Sequence, residues 1–242
     1  MIFENTEVWG FEHAIRGMRN PKHSHNKSDS YNGCRHGSNN SQTVTKCDDC
    51  LYWEECYGWQ SLYIIGENDL KLMQTLIRAG SEHRKFLRQI FVSVDITAPM
   101  YYWSEFDTYK VGTTANSTSK MHKLSSTPIT LECFEIDDIN KRCADINAYK
   151  NPICIVNYCE ELRQKYIQTN DKSYWKELLR WLPESWLQTR TVTMNYENIL
   201  SMYRQRKTHK LNEWSGIDNP ELPNFVGWVK SLPYANELIL IE

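Results

Sequence analysis

Four cysteines share one short polar stretch near the start of the chain, with the spacing Cys34-x12-Cys47-x2-Cys50-x5-Cys56. Four thiolates within reach of one another satisfy a tetrahedral zinc ion, which would give order to a long loop with little apolar content. The Cys-x2-Cys-x5-Cys triplet is also typical of certain 4Fe–4S sites, in which a distant fourth cysteine completes the cluster. The alternative is four free thiols on a surface loop, although cysteine is usually buried. We therefore expect a structural metal centre, zinc or iron–sulfur, at these four residues.

A second candidate is the hydroxyl-rich stretch 108–120, Thr-Tyr-Lys-Val-Gly-Thr-Thr-Ala-Asn-Ser-Thr-Ser-Lys. A bound phosphate needs several converging N–H and O–H donors, and this stretch supplies hydroxyls, an amide and two lysines. The pattern indicates either an anion cradle or a solvated loop.

Basic residues cluster on a predicted late helix. Arg204, Arg206 and Lys207 lie on one side of it, and Arg180 and Arg190 precede it. A planar guanidinium donates two parallel hydrogen bonds to a phosphate, which makes these arginines candidate anion ligands. The alternative is an ordinary solvated helix face.

Apolar spacing predicts the elements that must position these residues. A helix at 68–79 begins with Asn68 as N-cap and ends before Gly80, and the strand 91–96 is ended by Pro99. Trp228, Val229 and Leu232 are expected to pack onto the core. Further helices are predicted at 100–106, 153–169, 173–181 and 195–213, which gives an α+β fold with a sheet flanked by helices.

Composition bounds the classes of protein that this chain can be. The 242 residues are 40% hydrophobic, and 28 basic against 30 acidic side chains give a net charge of −2. The chain therefore has no overall positive charge that would attract nucleic acid or an anionic membrane. No apolar run approaches the roughly 20 residues of a membrane span, and the N-terminus lacks signal-peptide features, so we expect a cytoplasmic protein. We place one domain at 1–66, with a cysteine-rich insertion at 31–61, and a second at 67–242.

Read in order, these segments resemble flavin-dependent thymidylate synthase. The family has a leucine-patterned helix, a strand ending in Ala-Pro, and the signature Arg-His-Arg-x-x-Ser-x-Asn-Glu-x-Ser-x-Arg. Here a helix runs from Leu70 to Gly80, and Ala98-Pro99 ends the strand. Counting forward from Pro99 at the family's spacing aligns this sequence with the signature without a gap, at Thr108, Tyr109, Lys110, Thr113, Asn116, Thr118 and Lys120.

The resemblance continues farther along the chain and covers about 68–214. Leu182-Pro183 is followed by Asn195 and, eleven residues later, by Arg206, at separations that match the family. The sequence Arg-Gly-Met-Arg-Asn-Pro at 16–21 is similar to divergent relatives carried by bacteriophages, which would place the protein in the host cytoplasm. The segment that carries the cysteine cluster has no counterpart in the simple family pattern.

The resemblance implies an enzyme that binds FAD and a pyrimidine deoxynucleotide like dUMP. The base is methylated or otherwise modified at C5, with NADPH and methylenetetrahydrofolate as co-substrates and no protein nucleophile. It also implies a homotetramer with sites between subunits. The implied nucleotide ligands are Arg206, Arg180, Lys120, Thr118, Glu105 and Asn212. The implied flavin ligands are Lys110, Thr113, Asn116, Asn195, Ser201 and His83.

Several signature positions depart from the family. Tyr109 stands where the family has His, Asn116 where it has Glu, and Glu105 where it has a nucleotide-binding Gln. These changes favour an alternative from another class, a nucleotide-binding or protein-interaction module that keeps the fold without turnover. Modification of nucleic acid is disfavoured by the net charge of −2.

Overall fold

The computed structural model describes residues 1–33, 62–136 and 146–241, which form two compact units. The first unit comprises Met1–Glu7, Ser93–Met194 and Arg204–Trp228, and the second comprises Val8–Val92, Asn195–Tyr203 and Val229–Glu242. The sequence-based boundary at residue 66 and the insertion at 31–61 stay predictions, because residues 34–61 lie outside the described ranges.

The strands form two sheets. A four-stranded sheet has the order β1 (Ile2–Trp9), β4 (Phe91–Pro99), β6 (Leu187–Asn195) and β5 (Thr114–Ser117), and β5 pairs antiparallel with β6. In the second sheet, β2 (Tyr31–Gly33) pairs antiparallel with β3 (Leu62–Ile64).

Helices account for most of the remaining described chain, and with the sheets they confirm the predicted α+β class. They are α1 (Phe11–Arg19), α2 (Glu67–Arg78), α3 (Met100–Phe106), α4 (Lys120–Ser126), α5 (Ile146–Thr169), α6 (Lys172–Trp181), α7 (Tyr196–Arg206), α8 (Asn212–Ser215), α9 (Phe225–Ser231) and α10 (Ala235–Leu238). Short 3-10 turns lie at 20–22, 25–27, 85–89 and 131–133. In the part of the chain described here, no helix is long and apolar enough to cross a membrane.

The core of the first unit follows from the alternation of its strands. Successive side chains of a strand point to opposite faces, so the apolar positions of β4 and β6 fall on one buried face. Val94, Ile96, Ala98, Val192 and Met194 are all at most 1% exposed. A separate apolar cluster joins α4, α5 and α6 through Leu124, Ile129, Phe134, Val156, Cys159, Leu162 and Leu178.

A clamp made of one carboxylate and one guanidinium holds the end of α4, and the chain at Ile129, against α5. Arg163 donates from Nε and Nη2 to the two carboxylate oxygens of Glu160, at 2.7 and 2.6 Å, and from Nη1 to the carbonyl of Ser125 at 3.1 Å. Glu160 also accepts the backbone N–H of Ile129 at 2.8 Å. The end of α4 is thereby attached to α5 by charge-assisted hydrogen bonds.

In the second unit, a buried ion pair organises the chain before β2. The carboxylate of Asp69 is fully buried and accepts from Arg19 Nε at 2.5 Å, from the hydroxyls of Ser28 and Ser30, and from the backbone N–H of Asp29 and Ser30. Burial acts to raise the pKa of Asp69, but the hydrogen bonds from Ser30, Ser28 and Arg19 outweigh it and hold the pKa below its usual value. A buried charge is tolerated because Arg19 supplies the counter-charge and both carboxylate oxygens accept hydrogen bonds.

The structure confirms several predicted elements and corrects others. The strand that begins at Phe91, the helix of Met100–Phe106 and burial of Trp228, Val229 and Leu232 are confirmed. Asn68 is not the N-cap of α2: Gly66 holds that position, and the carboxylate of Asp29 accepts the backbone N–H of Asn68 and of Asp69. A residue distant in sequence therefore supplies the cap.

The predicted helix 195–213 is also wrong in extent, since α7 ends at Arg206 and α8 begins at Asn212. The imidazole Nδ1 of His209 accepts the backbone N–H of Leu211 at 3.2 Å, which takes the place of a helical carbonyl acceptor.

Replacing Asp69 with Asn should lower the free energy of unfolding by about 3 kcal/mol, because Arg19 is then left buried without its counter-charge. Urea denaturation followed by circular dichroism measures this. Glu82→Gln is the control, since Glu82 is 83% exposed and pairs with Lys85 only at 3.9 Å. A loss in Asp69→Asn no larger than in the control would contradict a structural role for the pair.

The Glu160 clamp should make the first unit sensitive to acid. The hydrogen bond from Arg163 is the largest cause that lowers the pKa of Glu160, from 4.5 to about 2. A carboxyl with a depressed folded pKa stabilises the protein above its unfolded pKa, and this contribution is lost as the pH falls toward the folded value. The midpoint temperature of thermal unfolding, measured at a series of pH values from about 5 to about 2, should therefore fall less steeply in Glu160→Gln than in the unaltered protein. Glu161→Gln, at the exposed neighbouring position, should keep the full slope, and equal slopes in all three proteins would refute the clamp.

Candidate functional site

The hydroxyl-rich stretch is partly a strand, and strand pairing decides where its side chains lie. The structure places residues 114–117 in β5, opposite β6 in the register Thr114 with Thr193, Asn116 with Thr191 and Ser117 with Arg190. These four residues therefore form an exposed strand, and not the loop that was the alternative to an anion cradle, because the backbone of β6 offers them antiparallel partners. Pairing with β6 fixes the position of the chain just before α4.

A buried amide on β6 extends this pairing beyond the end of β5. Gln188, which is 6% exposed, donates from Nε2 to the carbonyl of Thr118 at 2.8 Å, and the N–H of Thr118 donates to the carbonyl of Thr189 at 2.9 Å. Arg190 in turn donates from Nε to Oε1 of Gln188 at 3.0 Å and from Nη1 to Asp107 at 2.6 Å. These bonds form a continuous chain from Asp107 to Thr118, which we name the Gln188 relay.

The relay is packed as well as hydrogen-bonded. The guanidinium carbon of Arg190 lies 4.2 Å from the ring centre of Trp103, a cation–π contact with a ring that is itself fully buried. The indole N–H of Trp103 reaches the carbonyls of Ala98 and Gln188, both at 3.0 Å. The start of α4 is thus held by β6, and its end by the Glu160 clamp.

A pocket of about 240 Å³ opens beside the start of α4. Its lining includes two ammonium groups, Lys120 and Lys123, and four hydroxyl side chains, Thr118, Ser119, Thr127 and Thr189. Trp186 and the half-buried Cys133 also line it, and none of the described residues of the lining is a carboxylate. This combination of cations, hydroxyl donors and one indole ring suits a small anion that carries an aromatic group.

Two of the predicted nucleotide ligands, Thr118 and Lys120, therefore meet at this pocket. Lys123, Cys133 and Trp186 were missed in the sequence. The spacing of Lys120 and Lys123 was a usable signal, since residues three apart lie on the same face of a helix. The pocket contributions of Cys133 and Trp186 depend on tertiary packing, which no local pattern reveals.

Arg206, a predicted phosphate ligand, lies in a different and more crowded setting. Its Nη1 donates to Glu105 Oε2 at 2.5 Å and its Nε donates to the Tyr109 hydroxyl at 2.8 Å. The guanidinium also lies over the ring of Trp214, 4.8 Å from its centre, and His209 Nε2 approaches the same Glu105 oxygen at 3.1 Å. Arg206 and Glu105 are thus brought together as an ion pair, with 17% and 33% of their side chains exposed.

Behind this ion pair, two aromatic side chains are stacked and fully buried. The ring centres of Tyr102 and Trp214 are 4.2 Å apart, and neither the Tyr102 hydroxyl nor the Trp214 indole N–H has a hydrogen-bond partner in the described structure. Burial raises the pKa of Tyr102 well above its usual value, so the phenol stays neutral. This stack forms an apolar floor under Arg206.

The other predicted ligands of the first unit lie apart from the pocket lining. Arg180 is 60% exposed on α6 and pairs with Glu177 at 2.9 Å. Asn212 exchanges two hydrogen bonds with the backbone of Asn219, which closes the loop after α8. Lys110 and Asn116 are exposed, whereas the Thr113 hydroxyl is buried without a hydrogen-bond partner in the described ranges.

The remaining predicted flavin ligands belong to the second unit. The side chain of Asn195 accepts the N–H of Asn198, and the Asn198 side chain accepts the N–H of Asn195, so this pair caps α7. Ser201 is half-buried on α7, and His83 is exposed in the turn after α2.

The predicted metal ligands Cys34, Cys47, Cys50 and Cys56 lie outside the described residues, so the zinc or iron–sulfur centre stays a prediction. Within residues 1–33, 62–136 and 146–241, no group of three or more His, Cys, Asp or Glu side chains is arranged to hold a metal ion.

Replacing Gln188 with Met should lower the free energy of unfolding by about 1–3 kcal/mol, because it leaves the Thr118 carbonyl and Arg190 Nε without their partner. Hydrogen exchange resolved by residue should become faster at the amides of β5 and at the start of α4. Gln168→Met, at an exposed position of α5, is the matched control. Unchanged exchange in Gln188→Met would show that the relay does not hold α4.

Comparison with known proteins gives a fold but no sequence family. No protein-family model matches the chain, and no curated protein matches its sequence. A crystal structure of the flavin-dependent thymidylate synthase ThyX from Helicobacter pylori, complexed with FAD and dUMP, is similar with a TM-score of 0.60 and 15% sequence identity over 99% of this chain and 98% of that one. A second structure of ThyX from Helicobacter pylori with FAD and dUMP gives a TM-score of 0.59 and 15% identity over 98% and 97%. The chain therefore has the fold of flavin-dependent thymidylate synthases.

Proposed function

We propose that the protein is a flavin-dependent enzyme similar to thymidylate synthase, which binds FAD and a pyrimidine deoxynucleotide and modifies the base at C5. The observation that carries this proposal is the pocket beside α4. In a chain with the ThyX fold, the two positions that align with the end of the family signature, Thr118 and Lys120, line one pocket. The two ThyX structures compared above are complexes with FAD and dUMP.

The residues assigned to the flavin are chemically suited to it. FAD carries a diphosphate and a ring system rich in acceptors, which call for cationic, hydroxyl and amide donors. Lys110 and Asn116 offer exposed donors next to β5, and the Thr113 hydroxyl has no partner in the described ranges. Asn195, Ser201 and His83 are the further flavin ligands that we infer from the resemblance.

When bound, FAD supplies hydride transfer, and the protein supplies binding and orientation. The chain itself therefore contributes by positioning the side chains that bind and orient the ligands. The Gln188 relay and the Glu160 clamp fix α4 at its two ends, so Thr118 and Lys120 need little reordering when a ligand arrives. Trp186 gives the pocket an aromatic side. The carbon donor, NADPH, the tetrameric state and the relation to bacteriophage enzymes stay predictions from the resemblance.

One observation favours a second candidate, a nucleotide-binding module without turnover. Glu105 and Tyr109 stand at positions where the family has Gln and His, and in this structure both are bonded to Arg206. The two changed residues therefore share one partner, the guanidinium of Arg206. A chain that lost catalysis while keeping its fold could retain such a cluster and the pocket beside α4.

The purified protein should show flavin absorption or retain added FAD, and FAD should bind more weakly to Asn116→Ala than to the unaltered protein. Roughly tenfold is expected for the loss of one or two polar contacts. Gel filtration followed by a visible spectrum measures retention, and quenching of flavin fluorescence gives the dissociation constant. Lys176→Ala, on the exposed side of α6, is the control.

Complementation of a thymidine-requiring strain separates the two candidates. Growth without thymidine would support the enzyme. FAD and dUMP binding without growth would support the module, and a protein that binds neither ligand would contradict both.

A further inference from the structure

The pocket beside α4 carries an excess of positive charge that its own residues do not neutralise. Lys120 and Lys123 lie three residues apart on α4, which places them on one face of the helix. Neither ammonium group has an ion-pair partner in the described ranges, and the pocket lining contains no carboxylate. The like charges of the two ammonium groups repel each other, and an anion between them attracts both and offsets that repulsion.

Hydroxyl donors surround the two lysines. The Thr118 and Ser119 hydroxyls line the same pocket and have no hydrogen-bond partner among the described residues, so they are available to a ligand. Thr189 is already bonded to Thr97, at 2.7 Å between the two hydroxyl oxygens. A phosphate in this pocket would therefore meet two cations and at least two free hydroxyl donors.

Arg206, unlike the two lysines, already has an ion-pair partner. Its Nη1 and Nε already have acceptors in Glu105 and Tyr109, and the guanidinium is covered by the ring of Trp214. A phosphate bound at Arg206 would lie close to the Glu105 carboxylate, and the two anions would repel each other. Among the described residues, the lining of the pocket beside α4 holds no carboxylate that would repel a phosphate in this way.

We propose that Lys120 and Lys123 together bind the phosphate of the pyrimidine nucleotide, and that Arg206 instead positions Glu105 and Tyr109. This inference rests on the proposed function, because it assumes a nucleotide substrate, and it deepens that function by assigning the phosphate to one place. Lys123 becomes a ligand that lies outside the family signature. Cys133, which lines the same pocket, becomes a reporter of occupancy.

The test compares dUMP with deoxyuridine, which lacks the phosphate, by isothermal titration calorimetry on the full-length protein saturated with FAD. The ratio of the two dissociation constants isolates the contribution of the phosphate. Lys123→Ala should reduce this ratio about tenfold by weakening dUMP and leaving deoxyuridine unchanged. Lys176→Ala should keep the ratio, and Arg206→Lys should keep it even where its overall stability is lower.

A second readout uses the thiol. Alkylation of Cys133 by iodoacetamide, followed by mass spectrometry of its peptide, should be slowed by dUMP in the unaltered protein and much less in Lys123→Ala. Retention of the full ratio in Lys123→Ala, or its loss in Arg206→Lys, would overturn the assignment while leaving the proposed function in place. If the unaltered protein binds FAD but neither dUMP nor deoxyuridine, the nucleotide function itself is wrong and the assignment falls with it.

Discussion

The buried amide of Gln188 is the contact on which the geometry of the first unit depends. Strand β6 lies between β4 and β5 in the sheet, and Gln188 uses both ends of its amide there, donating to Thr118 and accepting from Arg190. A buried amide is stable only when both ends are satisfied, so the conformation of the chain on either side is restricted. Because Thr118 leads directly into α4, a strand about seventy residues later in the sequence determines where Lys120 and Lys123 lie.

Three arginine–carboxylate pairs show how the protein uses such contacts. Arg19 with Asp69 secures the chain before β2, and Arg163 with Glu160 secures the chain after α4. Arg206 with Glu105 has the same close approach, at 2.5 Å, and additional partners in Tyr109 and Trp214. The first two pairs hold backbone segments in place, and the third resembles them more than it resembles an open anion site. The lysines of α4, in contrast, line a pocket to which the described part of the chain contributes no carboxylate.

The sequence was informative where local rules decide structure. The apolar spacing of α2, the strand that begins at Phe91 and the aromatic helix after Pro99 follow from periodicity and from proline. Strand β6 could not be predicted because Gln188 and Arg190 interrupt its apolar alternation. These two polar side chains are covered by contacts with distant parts of the chain. The cap of α2 was missed for the same reason, since Asp29 reaches it from a separate segment. Long-range polar contacts are invisible to a pattern that compares near neighbours.

The residues of the candidate site were likewise predictable from the sequence only in part. The resemblance named Thr118 and Lys120, and the structure brings both to one pocket, while it pairs Arg206 with Glu105. The fold is similar to that of ThyX at 15% sequence identity. In this chain, the buried apolar alternation of β4 and β6 supplies the core of the sheet. The most direct test is a crystal structure of the protein with FAD and dUMP. The dUMP phosphate is expected between Lys120 and Lys123, with Arg206 still hydrogen-bonded to Glu105; a phosphate bound to Arg206 with Glu105 displaced would contradict this assignment.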